Sequence, residues 1–197
     1  AAALPLLRNP TVMGLAGVAL LRGMALNSMF IWTPFFLEDE IGMGPFRTGV
    51  HIALLTGTGI VSTPILGAMS DRFNRKLILV PGFAISAILA VLVVKAGAGM
   101  WLTVILASMG LFSYALHQII QASVLDEVSE GTEATAIGFL FGANSAVGSF
   151  SPLIAVAIIE GYGLVNVFYY QAGLTAAALI LLLFIPMKTK SVTVVGQ

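Results

Sequence analysis

The sequence predicts an all-α integral membrane protein of six transmembrane helices, on three observations. Hydrophobic residues make up 58% of the 197 residues and charged residues 9%, against roughly 25% charged in an ordinary soluble domain. A soluble fold of this length would need far more polar surface than these side chains supply. The apolar residues gather into six runs, each near the ~20 residues that a helix needs to cross a bilayer. Between them lie EDEIGMGPFR, SDRFNR, KAGAG, DEVSEGTE and EGYG, rich in charge, Gly or Pro as turns are.

The runs place spans at residues 11–37, 48–69, 77–94, 100–125, 134–159 and 164–186, within a membrane domain of 11–187. Residues 1–10 lead in and 188–197 form a tail. The first span carries Arg22, Asn27, Ser28 and Pro34; the second carries Thr56, Thr58, Ser62, Thr63 and Pro64. Ser86 is the clear polar residue of the third. His117, Gln118 and Gln121 mark the fourth, Asn144, Ser145, Ser149 and Pro152 the fifth, Gln171 and Thr175 the sixth. Polar side chains inside lipid face a cavity or another helix. Spans one, two, four and five are therefore expected to line a path, with three and six toward lipid. Pro34, Pro64 and Pro152 are expected to kink or break helices, and Gly138, Gly142 and Ala146 to allow close helix packing. Trp32, Trp101, Tyr162, Tyr169 and Tyr170 fall near outer span ends, where interfacial anchors belong.

Loops this short make neighbouring spans antiparallel. Lys and Arg collect on the cytoplasmic side. With the N-terminus there, that side holds Arg8, Arg72, Arg75, Lys76, Lys188 and Lys190, and the far side only Arg47 and Lys95. Both ends are thus expected to be cytoplasmic, in a plasma (inner) membrane. Cysteine is absent, and the two histidines, His51 and His117, lack a partner at ligand spacing. No metal, cofactor or nucleic acid is expected.

The stretch GAMSDRFNRK, residues 67–76, sets Asp71, Arg72, Arg75 and Lys76 within six positions. Orientation accounts for the cations, but not for Asp71 or for Gly67. The order G-x-x-x-D-R-x-x-R-K between spans two and three resembles the signature loop of the major facilitator superfamily of secondary transporters. Asn74 stands where that family usually has Gly, a mild departure because Asn tolerates positive φ. The passage SPLIAVAIIEGYGLVNVFYYQAGL, residues 151–174, is similar to the family's step from span eleven into span twelve. LPLLRNPTV looks like the end of its central loop, giving residues 1–10 that role.

The resemblance implies one six-helix half, the C-terminal one, of a twelve-helix bundle, built of two inverted three-helix repeats. It implies alternating-access transport of a small solute, an organic anion or drug-like compound among the options, and as partners the lipid bilayer and an N-terminal half absent from this chain. Gly67, Asp71, Arg72, Arg75 and Lys76 would form a cytoplasmic latch between halves. Arg22, about 16 Å along its helix at 1.5 Å per residue, costs at least ~2.5 kcal/mol in lipid unless solvated or paired. It is a candidate for the solute path, against the alternative of an arginine snorkelling to the cytoplasmic face. His117 and Gln121, spaced i, i+4 with Tyr114 on the same face, together with Asn27 and Asn144, are further path candidates or interhelical glue. An enzyme using Ser145 and His117 is disfavoured, because GANSAVG lacks a G-x-S-x-G elbow. A transport-silent receptor or scaffold on the same fold is the alternative.

Overall fold

A computed structural model describes residues 8–128 and 131–187. Seven α-helices build six spans, with no strand among the described residues. They are α1 (Pro10–Phe35), α2 (Pro45–Arg72), α3 (Arg75–Lys95), α4 (Met100–Leu125), α5 (Glu133–Gly148), α6 (Ser151–Tyr162) and α7 (Asn166–Phe184). Parts of the lead-in and of the acidic loop, and the tail with Lys188 and Lys190, lie outside the described residues.

Local chemistry sets the ends. Asn9 caps α1, its Oδ1 accepting from Thr11 N at 3.0 Å, and Pro10 opens the helix, where a missing N–H costs nothing. The expected kink at Pro34 takes the form of a widened turn. Phe36–Glu40 is π-helical, with Ile41 N donating to Phe36 O at 3.1 Å, so the first span runs on to Glu40. The chain then turns at Gly42, φ +74°, which suits a residue without Cβ. Pro152 has no N–H for the carbonyl of Gly148, and the fifth span breaks there into α5 and α6.

Two apolar clusters fill the bundle. Toward the end that holds the residue 72–76 turn, Leu15, Val18, Phe83, Leu116, Ile120 and Leu182 interlock. Toward the other, Met29, Phe36, Leu89, Leu102, Leu106 and Phe168 do so. Between them lies a buried polar layer of Arg22, Ser28, Ser86, Ser113, Ser151, Gln171 and Thr175. The polar residues of the third and sixth spans thus point inward, while their exposed residues, Leu77, Ile85, Ile88, Ile180 and Phe184 among them, are apolar. The second and fifth spans are the least buried within this unit.

The expected small-residue stripe does not pack here. Gly138 and Gly142 are exposed, with nothing near where a Cβ would stand. The close crossing is instead between α2 and α4, where a Cβ on Gly110 would strike the Leu55 carbonyl oxygen and Thr58 Oγ1. Backbones at that distance let hydroxyls of α2 reach carbonyls of α4. Thr58 Oγ1 lies 2.8 Å from Ala107 O and Ser62 Oγ donates to Leu111 O at 2.5 Å. These side chains of the second span therefore serve interhelical bonding. His51 does the same further out, its Nε2 2.9 Å from Thr103 Oγ1. Of the expected anchors, Trp101 and Tyr162 are exposed, Trp32 packs 5.5 Å from Phe35, and Tyr170 bonds Ser151.

Gly110→Ala should lower the unfolding free energy by about 1–3 kcal/mol, the usual cost of overpacking, read as a fall in Tm in detergent. Gly138→Ala, in open space within a helix, should not lower it; equal losses would refute the α2–α4 close approach.

Candidate functional site

Two clusters carry the polar chemistry. The first sits at mid-membrane where the first, fourth and fifth spans meet. Arg22 is 2% exposed, its Nη2 shared by the carbonyls of Phe112 and Ser113 at 3.4 and 3.3 Å, and its guanidinium lies 5.8 Å from the Phe83 ring centroid. Its Nε is buried without a hydrogen-bond partner. It neither snorkels nor stands on the open face of the bundle. It braces the first span against backbone of the fourth.

One turn away, Gln121 Nε2 lies 3.0 Å from His117 Nε2, and His117 Nδ1 is buried and unpartnered. Asn144 reaches across from α5 to Gly23, where any Cβ would collide with its amide, and its Oδ1 is likewise buried and unpartnered. His117, Gln121 and Asn144 line a cavity of about 10 Å³ with Ala19, Leu140 and Phe141. Asn27 is exposed beside Gly148, and Tyr114 is half-buried with its ring 5.5 Å from that of Phe30. Four of the five expected path residues thus share one region facing the open side, with Arg22 behind them.

Sequence reasoning gave Gln118 no role, yet it is an exposed amide on the same helix. Its helical offset from Tyr114, i+4, was the available signal. The Ser28–Ser151–Tyr170 chain was also missed: Ser151 Oγ donates to Met24 O at 2.7 Å and lies 3.2 Å from both Ser28 Oγ and Tyr170 Oη. It ties the fifth span to the first and sixth just beyond the break, and nothing in the sequence marks it.

The second cluster is the turn at residues 67–76. Arg75, its side chain 12% exposed, pairs with Asp71 at 3.0 Å and donates through Nε to Asp126 at the end of α4. Lys76 Nζ donates to Leu183 O and Ile185 O, both at 2.9 Å, supplying the cation that α7 lacks in its own last turn. Asn74 does not use a positive φ. It is extended (φ −163°) and caps α3, its Oδ1 accepting from Lys76 N at 2.9 Å, which is why Asn serves here. Arg72 stays exposed over Phe73, Asp71 keeps 61% of its side chain exposed, and nothing stands within 4 Å of a Cβ at Gly67. Gly67, Ser70, Asp71 and Arg75 border a groove of about 320 Å³ with Thr63 and Gln118.

The family model of the Major Facilitator Superfamily matches residues 15–196. The chain is similar to the tetracenomycin C resistance and export protein of Streptomyces glaucescens, 35% identical over 74 residues, which are 36% of this chain and 14% of that protein. It is similar also to the arabinose-proton symporter of Bacillus subtilis (strain 168), 42% identical over 60 residues, 29% of this chain and 13% of that protein. The chain thus spans a small part of the length of the curated relatives it matches.

Arg75→Met should cost about 1.5–3 kcal/mol, the range for hydrogen bonds to charged groups, as should Asp126→Asn. Thermal unfolding of the double variant should show less than the summed loss; strict additivity would mean that the two side chains do not interact.

Proposed function

The chain belongs to the major facilitator superfamily, and on that footing we propose that it forms one half of a secondary transporter that moves a small solute by alternating access. The observation that carries this reading is the polar cluster at mid-span. Amides and an imidazole with unpartnered buried atoms gather where the first, fourth and fifth spans meet, and such groups in a membrane domain mark solute pathways. A carrier needs no covalent chemistry, so no enzymatic role is assigned. The relatives' names describe an exporter and a proton symporter, which supports membrane transport.

In this reading Asn27, His117, Gln121 and Asn144 face the path from one side and a second six-helix half faces it from the other. Arg22 holds the first and fourth spans at fixed spacing beneath them. The turn at 67–76 works as a latch with divided labour. Arg75 and Lys76 are committed to their own half, while Gly67, Arg72 and the exposed edge of Asp71 are free to dock on the other. Release of that contact accompanies the inward-facing state. The turn faces the cytoplasm, with both ends of the chain on that side of a plasma membrane, since Lys and Arg cluster there.

Two measurements on the full-length transporter test this. Asp71→Asn should slow solute flux in proteoliposomes at least several-fold with normal insertion; unchanged rates would refute the latch. This chain has no cysteine, so once any cysteine elsewhere in the full-length protein is replaced, Arg72→Cys and Asp39→Cys can be labelled singly. An impermeant thiol reagent applied outside intact cells should modify only the second, and the opposite pattern would invert the topology.

A further inference from the structure

We infer that the groove between α3 and α7, on an exposed apolar face of the bundle, binds one anionic phospholipid, with an acyl chain along the groove and the phosphate between Lys95 and Tyr169. The inference goes beyond the transport reading and involves no solute.

The first ground is the shape of the groove. It encloses about 480 Å³, and no polar side chain lines it. Its floor is made of small residues, Ala87 on α3 and Ala172, Gly173 and Ala176 on α7, and the longer Ile88 and Leu92 stand exposed beside them. Nothing lies within 4 Å of where a Cβ on Gly173 would be. A lipid tail is as apolar as these side chains, so an apolar surface alone selects no lipid. A recess with a low floor and a raised side gives an acyl chain more contact than a flat helix face does, and dispersion is the gain available there.

The second ground is the charge at one end of it. Lys76 Nζ donates to the carbonyls of Leu183 and Ile185, so α3 and α7 run antiparallel, and Lys95 at the end of α3 comes level with the start of α7. Lys95 lies three residues beyond Leu92 and Tyr169 four before Gly173, spacings that keep each on the helix face that lines the groove. Both are exposed. A helical lysine lays its methylenes back over the preceding turn while its ammonium stays at the water's edge. Lys95 thus leads from the groove to headgroup level. Its charge suits the C-terminus of α3, and among the described residues it joins no ion pair. An ammonium with three donors and a phenolic hydroxyl at the same level suit a phosphate. A polar solute would find no partner in the groove. A second copy docked about a two-fold axis would meet the same patch, setting Lys95 against Lys95 at one depth.

The test uses the full-length protein in phosphatidylcholine vesicles that carry a trace of phosphatidylglycerol or of phosphatidylcholine with a diazirine in the acyl chain. After irradiation, peptides of α3 and α7 are expected to carry more label than other exposed helices. The phosphatidylglycerol probe should label them about fivefold more than the phosphatidylcholine probe, the worth of one lysine at a membrane surface. Lys95→Gln should remove that preference and Lys95→Arg should keep it. Gly173→Leu, which fills the groove, should lower labelling by both probes, and Ala176→Leu gives the same reading if the first variant does not fold. Equal labelling by the two probes, or a preference that Lys95→Gln leaves intact, would overturn the inference in favour of non-selective boundary lipid. Label on α3 and α7 no higher than elsewhere would do the same. A disulfide formed between two copies of an Ile88→Cys variant would place a second copy in the groove and overturn it as well.

Discussion

Inside a bilayer no water is at hand to satisfy a polar group, and the bundle is organised around that constraint. A buried guanidinium in the middle of the first span meets it through the second lone pairs of two successive carbonyls on the fourth. This fixes how those two helices stand against each other. The Ser28–Ser151–Tyr170 chain does likewise for the first, fifth and sixth spans. Thr58 and Ser62 do so between the second and fourth. Apolar contact with lipid is nearly as good as apolar contact between helices, so these bonds and close packing, not hydrophobicity alone, select one arrangement.

Glycine placement is the steric side of the same selection. The hydroxyls of α2 reach across only because Gly59 and Gly110 let the two backbones meet. By contrast, Gly138 and Gly142 of α5 face open space, on a span that is among the least buried of the unit. The fifth span is also the broken one. Its α6 piece is pinned through Ser151, while its α5 piece carries Asn144 and one wall of the small cavity.

The charged turn shows how one short sequence serves several helices. Asn74 caps the third span, Lys76 caps the sixth, and Arg75 joins the ends of the second and fourth through two carboxylates. A topology signal alone would leave these groups in water. Inside the unit they tie four helix ends together, while Arg72, the outer edge of Asp71 and the bare backbone at Gly67 remain open.

Six spans, their polar content and the family-like turn could be read from the sequence, because a helix that crosses lipid must be long and apolar and its loops must not be. The same logic singled out Asn27, His117, Gln121 and Asn144 as unusual, since each is costly where it stands. Which of them share a cavity depended on how helices distant in the chain rotate about their axes, and hydropathy carries no such information when a helix is apolar all round. For that reason the direction of Arg22, the idle stripe at Gly138 and Gly142, and the capping use of Asn74 were decided only by tertiary structure. The sequence by itself determined how many times the chain crosses and where its charges are concentrated. Packing and hydrogen-bond satisfaction between helices decided which charges are buried in the bundle and which stay exposed.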